Sequence, residues 1–164
     1  MSTAHKNLSE FSTEALPDIS QRTFAIVVAE WNTEVTEKLF EGAYQTLINY
    51  GATAERVLRG NVPGSFELTL GSQWFAERDD VDAVIALGAV IQGETKHNDY
   101  INHAVAQGLT NLSMKYNKPV IFGVLTPNTM EQALDRAGGK HGNKGDEAAI
   151  TAIKMLGLKA QAAQ

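Results

Sequence analysis

Short apolar runs alternate along the chain with longer stretches in which apolar residues recur every three or four positions. The run Phe24–Ala29 contains no polar residue and is rich in β-branched side chains, which is typical of a strand buried on both faces of a parallel sheet. After it, apolar residues recur at four-residue spacing from Val35 to Leu47. This spacing predicts an amphipathic helix that ends at Gly51.

The same alternation continues towards the C-terminus. Three more strands are predicted, over residues 55–59, within 81–91 and within 118–126. Four helical patterns accompany them. The first has Ser65 as a possible cap, the second and third run over about 95–116 and 128–138, and the last is capped by Asn143. Strands that alternate with helices predict one α/β domain, in which a four-stranded parallel sheet lies between helices.

The first part of the chain lacks this periodicity and is mostly polar. We therefore predict a flexible N-terminal arm over residues 1–21 and an α/β domain over residues 22–164. The few apolar residues of the arm, Leu8, Phe11 and Leu16, could dock on a neighbouring molecule. A disordered tail is the alternative interpretation.

Composition narrows the class of protein. The 164 residues suffice for one domain, and 43% hydrophobic with 20% charged residues is ordinary for a globular protein. The formal net charge of -5 argues against general nucleic-acid binding, which needs a basic surface. The absence of cysteine excludes disulfides, thiolate catalysis and cysteine-ligated zinc. Because no apolar run approaches the roughly 20 residues that cross a bilayer and the N-terminus has no signal core, we expect a cytoplasmic location.

The most unusual residues follow the predicted strands. Ligands of open parallel sheets bind at the carboxyl ends of the strands. The four segments at those ends read EWN, NVPGSFE, GAVIQGETKH and FGVLTPNT. Since they combine aromatic, glycine, histidine and short polar residues, the pattern predicts a ligand site at this edge.

His97 is the main candidate for proton transfer. It lies in the first turn of the third predicted helix, where the helix dipole disfavours a protonated imidazole, so the position suits a general acid or base. The alternative is a histidine that caps the helix or faces solvent. His5, His103 and His141 are better interpreted as surface residues, and His97 and His103 are too far apart in sequence to share a helix face as metal ligands.

Glu94 and Thr95 precede the same helix. Backbone N–H groups and a threonine hydroxyl there could bind a phosphate, although the segment is neither a P-loop nor a dinucleotide fingerprint. Ordinary capping by Thr95 is the alternative. A bound phosphate also needs a fixed cation, for which Arg136 and Lys144 are candidates, unless they are solvated surface charges.

Aromatic and acidic residues at the same edge suit a flat, hydroxylated ligand. Trp31 follows the first strand and could stack on a heterocycle, or it could be a packing residue. The same two interpretations apply to Phe66 and Phe122. Glu67 could accept hydrogen bonds from ligand hydroxyls, or it could be an acid favoured in a first helical turn.

Together these segments resemble one family. FAIVVAEWN, VPGSFEL, ALGAVIQGETKHNDYI and FGVLTPNTMEQALDRAGGKHGNKGDEAA, in this order and spacing, are similar to the lumazine synthases over about residues 22–158. The resemblance implies a flavodoxin-like three-layer α/β/α sandwich with a four-stranded parallel sheet. It also implies condensation of 5-amino-6-(D-ribitylamino)uracil with 3,4-dihydroxy-2-butanone 4-phosphate, a step of riboflavin biosynthesis, with neither a metal nor an organic cofactor.

The resemblance also implies roles for individual residues. His97 would transfer protons, Trp31 would stack on the pyrimidine, and Arg136 would be the counter-cation of the phosphate. The remaining substrate-binding residues would be Ser65, Phe66 and Glu67 on the uracil and ribityl side, Ala89, Val90 and Ile91 at the pyrimidine edge, Glu94 and Thr95 at the phosphate, and Phe122 from the adjacent subunit.

Two positions depart from the family pattern. Gln92 stands where a basic residue is common, and Asn98 where an aromatic is common. They motivate two alternatives, a flavin- or lumazine-binding protein and a shell-forming protein with reduced catalysis. Family members form pentamers, some of which assemble into 60-subunit icosahedral shells, and the short link AGGKHGNKG resembles that of the shell-forming members.

Overall fold

Residues 16–164 are described by a computed structural model. The main strands are β1 (Phe24–Ala29), β2 (Val57–Val62), β3 (Ala83–Ala89) and β4 (Val120–Leu125). The helices are α1 (Thr33–Asn49), α2 (Leu68–Ala76), α3 (His97–Tyr116), α4 (Met130–Asp135) and α5 (Lys144–Ala162). A small antiparallel pair, β5 (Ala137–Gly139) and β6 (Gly142–Asn143), lies between α4 and α5. Leu8 and Phe11, predicted for the arm, lie outside the described residues, and none of the described helices is long and apolar enough to cross a membrane.

The main strands form one parallel sheet in the order β2-β1-β3-β4. This is the strand order of flavodoxin-like folds. β1 and β3 occupy the centre and are buried at every residue, which explains their apolar sequences. The predicted α/β fold with a four-stranded parallel sheet is confirmed.

Each face of the sheet has its own core. Alternate side chains of β1 point to opposite faces, so that Phe24, Ile26 and Val28 pack with α1 and α5, whereas Ala25 and Val27 pack with α2 and α3. Helices therefore cover both faces and make three layers. Ile19, before β1, is fully buried in the first of these cores.

The first and last helices approach very closely. A Cβ added at Gly145 of α5 would lie 1.9 Å from the carbonyl oxygen of Leu39 in α1. Asn143 caps α5 as predicted, because its Oδ1 accepts from the N–H of Gly145 at 2.7 Å. Its Nδ2 donates to the carbonyl of Lys38 at 2.9 Å, which ties the start of α5 to α1.

Several predicted boundaries were wrong. β2 begins at Val57 and ends at Val62, because residues 54–56 form a 3₁₀ turn and the ladder with β1 continues to the pair Ala29–Val62. Ser65 does not cap α2; it begins a 3₁₀ turn over Ser65–Glu67, and α2 has no side-chain cap. α3 begins at His97.

Candidate active site

A cleft of about 710 Å³ lies at the carboxyl edge of the sheet. Its walls are the segments that follow β1, β2 and β3, together with the first turns of α3. It brings together nine of the predicted residues: Trp31, Ser65, Phe66, Glu67, Ala89, Val90, Ile91, Thr95 and His97. Six further residues complete the wall: Asn32, Gly64, Gly93, Asn98, Tyr100 and Ile101. The sequence pattern indicated no substrate contact for Asn32, Gly64, Tyr100 or Ile101.

Trp31 presents its side chain to solvent at the mouth of the cleft. It is 74% exposed, so it is not a core residue of the single chain. Its backbone is nevertheless fixed, because the N–H of Glu30 donates to the carbonyl of Val62 at 2.8 Å and that of Trp31 to the carbonyl of Pro63 at 3.1 Å. The end of β1 is thereby held against the end of β2, with an exposed indole beside the cleft.

The segment after β2 packs directly on β3. A Cβ at Gly88 would lie 2.5 Å from Oγ of Ser65, so a side chain at this position would displace the Ser65 hydroxyl. Ser65 is consequently buried, whereas the neighbouring Phe66 and Glu67 are exposed in the cleft wall. An apolar ring and a carboxylate next to each other can bind a ligand that has both flat and hydroxylated parts.

His97 is the first residue of α3, and its side chain is exposed in the cleft wall. Its backbone N–H faces Oγ1 of Thr95 at 3.4 Å, a weak contact. Within residues 16–164 the imidazole has no hydrogen-bond partner. The neighbouring Asn98 donates to Asp99 at 3.2 Å and does not orient the ring.

The other histidines have no place in this cleft. Nδ1 of His103 lies 2.7 Å from the carbonyl of Asp99, one turn earlier on α3, and His141 belongs to the β5–β6 link. His5 lies outside the described residues. The part of the chain that the structure describes holds no cluster of three or more histidine, aspartate or glutamate side chains that could bind a metal.

The predicted phosphate residues divide into two groups. Thr95 lines the cleft, and Glu94 precedes it on the exposed segment before α3. Arg136 lies at the end of α4 and is outside the cleft of its own chain. Its Nη1 donates to the carbonyl of His141 at 2.6 Å and its Nη2 to Glu147 at 2.5 Å.

Phe122 also lies away from the cleft. It belongs to β4, at the edge of the sheet, and lines a second groove of about 670 Å³ between α3 and α5, together with Lys144 and Met155. Within a single chain, Phe122 and Arg136 therefore lie outside the cleft that Trp31 and His97 line. If these groups act on one ligand, they must come from different chains.

Comparison with known proteins agrees with the resemblance found in the sequence. Residues 21–160 match the family described as 6,7-dimethyl-8-ribityllumazine synthase. The protein of that name from Cytophaga hutchinsonii is 62% identical over 156 residues, which cover 95% of this chain and 98% of the relative. Those from Parabacteroides distasonis and Porphyromonas gingivalis are 53% and 52% identical, over 98% and 97% of this chain and 100% and 99% of the relatives.

Proposed function

The chain belongs to the 6,7-dimethyl-8-ribityllumazine synthase family, transferases of riboflavin biosynthesis, and we propose that its cleft condenses 5-amino-6-(D-ribitylamino)uracil with 3,4-dihydroxy-2-butanone 4-phosphate. The observation that carries the proposal is the joint position of Trp31, Glu67 and His97 in one cleft at the carboxyl edge of the sheet. An aromatic face, a hydroxyl-binding carboxylate and an imidazole are the groups that this pair of substrates needs.

The pyrimidine half of the site is formed by the segments after β1, β2 and β3. Trp31 stacks on the ring, and its exposure leaves a face free for a ligand. Ser65, Phe66 and Glu67 contact the uracil and the ribityl chain, and Glu67 accepts from its hydroxyls. Ala89, Val90 and Ile91 meet the edge of the ring.

The phosphate half combines two chains. Glu94 and Thr95 bind the phosphate at the start of α3, where unpaired backbone N–H groups favour an anion. Arg136 and Phe122 come from the adjacent subunit, which explains their distance from the cleft of their own chain. A guanidinium is suited to phosphate because its N–H groups match two oxygens at once.

The chemistry then needs little more than orientation and proton transfer. The amine of the uracil attacks the ketone and forms an imine with loss of one water, and phosphate then leaves as an anion. The resulting enol tautomerises to a ketone, and the ribitylamino nitrogen attacks this ketone, closes the second ring and releases a second water. His97 accepts and returns the protons of these steps. Arg136 and the start of α3 stabilise the departing phosphate, and the cleft holds the two reactants together.

We infer a pentamer, or a 60-subunit shell of pentamers, as the working assembly. Light scattering tests it, with about 89 kDa expected for five chains of 17.8 kDa and about 1.1 MDa for sixty. A monomer that is active at full rate would contradict the shared site. A cytoplasmic location is also part of the proposal, and cell fractionation tests it.

Subunit mixing tests the shared site directly. His97→Ala and Arg136→Ala each remove one half of every site, and Arg136→Ala alone is expected to raise KM for the butanone phosphate. When the two variants are unfolded together and reassembled, about a quarter of the sites should regain both groups if they come from different chains. If they come from the same chain, mixing restores no activity.

The decisive assay is incubation of the purified protein with both substrates and detection of lumazine fluorescence. Formation of the product at a rate well above the uncatalysed reaction supports the proposal. Binding of lumazine without turnover would favour the binding-protein alternative that Gln92 and Asn98 motivate. A shell with neither binding nor turnover would favour the structural alternative.

A further inference from the structure

Asn32, between β1 and α1, has an unusual conformation and an unusual hydrogen bond. Its φ of 63° and ψ of 46° lie in the left-handed region, which asparagine adopts more readily than other residues with a side chain. Although asparagine is a favoured helix cap, its side chain makes no capping bond to α1. Nδ2 donates instead to the carbonyl of Ala89, at the end of β3, at 2.8 Å.

This bond replaces one that the sheet has lost. In the parallel register of β1 and β3, the next donor to the carbonyl of Ala89 would be the backbone N–H of Trp31. That N–H points to β2 and donates to the carbonyl of Pro63. The side chain of Asn32 therefore donates to the carbonyl of Ala89, which receives no hydrogen bond from the backbone of β1. The turn after β1 is thus fixed to both neighbouring strands.

The next backbone groups on the same side of β3 are those of Ile91. Val90 and Gln92 donate towards β4, to the carbonyls of Leu125 and Pro127. Because backbone direction alternates along an extended chain, the N–H and C=O of Ile91 point the other way, towards the side of Trp31. Within residues 16–164 neither group has a hydrogen-bond partner, and both Ile91 and Trp31 line the cleft.

We propose that Asn32 is a positioning residue for the heterocycle, an inference that rests on the proposed function. By occupying the carbonyl of Ala89, its amide leaves the N–H and C=O of Ile91 as the pair that meets the pyrimidine edge. By fixing the turn to β3, it sets the distance between that pair and the indole of Trp31. Asn32 itself does not touch the reacting atoms.

Asn32→Gly separates the side chain from the backbone conformation, because glycine adopts positive φ without strain. If the amide matters, KM for the ribitylaminouracil should rise about tenfold in this variant while the melting temperature stays near that of the wild type. Asn32→Asp, which keeps the size but cannot donate when ionised, should show the same rise. The Asn32→Asp variant also provides the test if Asn32→Gly fails to assemble. A KM within twofold of the wild type in either folded variant overturns the proposal.

Asn117→Gly is the matched control. Asn117 is the other described non-glycine residue with positive φ, 49°, and it ends α3 at the opposite edge of the sheet. Its replacement should leave KM unchanged. A loss equal to that of Asn32→Gly would indicate a general effect on the fold.

Binding of the product lumazine, measured by quenching of the protein's tryptophan fluorescence, distinguishes failure of this inference from failure of the proposed function. If the wild type binds the product without turnover, the proposed function fails, and the ratio of Kd between Asn32→Gly and wild type still decides the inference. A tenfold ratio supports it, and an unchanged Kd overturns it. A wild type that neither binds nor turns over refutes both.

Discussion

The guanidinium of Arg136 is bound by the carboxylate of Glu147 within the same chain, with Nη2 2.5 Å from Oε1. Both side chains are largely buried, at 21% and 14% exposed. The other oxygen of Glu147 accepts from Nζ of Lys144 at 3.3 Å. Glu147 thus orients the cation that we assign to the phosphate of the adjacent subunit, before any substrate is bound.

Glu147→Ala should consequently affect both stability and phosphate binding. It leaves two cations that are mostly buried without their acceptor, which we expect to cost about 1–3 kcal/mol in the free energy of unfolding. KM for the butanone phosphate should rise because Arg136 loses its fixed orientation. Urea denaturation and steady-state kinetics measure the two effects, and Glu131→Ala, which removes an exposed acid of α4, should change neither. An unchanged KM in Glu147→Ala would show that Arg136 needs no support.

His97→Ala should lower kcat more than it changes either KM. We expect kcat to fall about tenfold to a hundredfold. This loss is at or below the lower limit of what one acid–base group usually contributes to the rate, because orientation of the reactants supplies much of the acceleration. The side chain is exposed, so stability should not change. His103→Ala is the control, since His103 lies on the same helix and outside the cleft. A kcat equal to that of the wild type would remove His97 as the principal proton carrier.

Trp31→Ala should weaken binding of the ribitylaminouracil without weakening the fold. Stacking of a base on an aromatic ring is worth about 1–3 kcal/mol, so KM should rise about tenfold or more. Trp31→Phe keeps an aromatic face and should stay within a few-fold of the wild type. The indole is 74% exposed, and thermal unfolding should therefore be nearly unchanged in both variants. Equal KM values for the alanine and phenylalanine variants would contradict stacking.

Gly145→Ala tests the close contact between α1 and α5. The added methyl would overlap the backbone carbonyl of Leu39, which cannot move aside as a side chain can, and overpacking of this kind costs about 3 kcal/mol. Gly93→Ala is the matched control, because a Cβ at Gly93 has nothing within 4 Å and should change the free energy of unfolding by less than about 0.5 kcal/mol. Urea denaturation compares the two, and equal stability of both variants would show that α5 shifts at little cost.

The accuracy of the predicted elements follows their burial. β1 was predicted with its observed ends and β3 within a longer segment, because both strands are buried on both faces and read as continuous apolar runs. β2 was misplaced because it is an edge strand and Arg59 to Asn61 alternate between exposed and half-buried positions. The β5–β6 pair was missed because Gly138 and Gly142 have positive φ and read as a loop.

The candidate site was accessible to prediction only in part. The rule that ligands bind where parallel strands end brought Trp31 and His97 to one edge without any structural knowledge. Asn32 carried no such signal, because its role depends on its left-handed backbone and on a bond to a residue 57 positions away. Composition and periodicity describe the sequence locally, so they could not indicate that Arg136 lies outside the cleft. Only the resemblance to a family implied a second subunit.

The packing of α1 against α5 has a consequence for synthesis in the cell. Asn143 reaches the carbonyl of Lys38 across 105 positions of sequence, so the side of α1 that packs against α5 has no cover until α5 has emerged from the ribosome. While β2, β3, α3 and β4 are being synthesised, the nascent chain therefore exposes that side of α1, and we expect chaperones to bind it until α5 packs there.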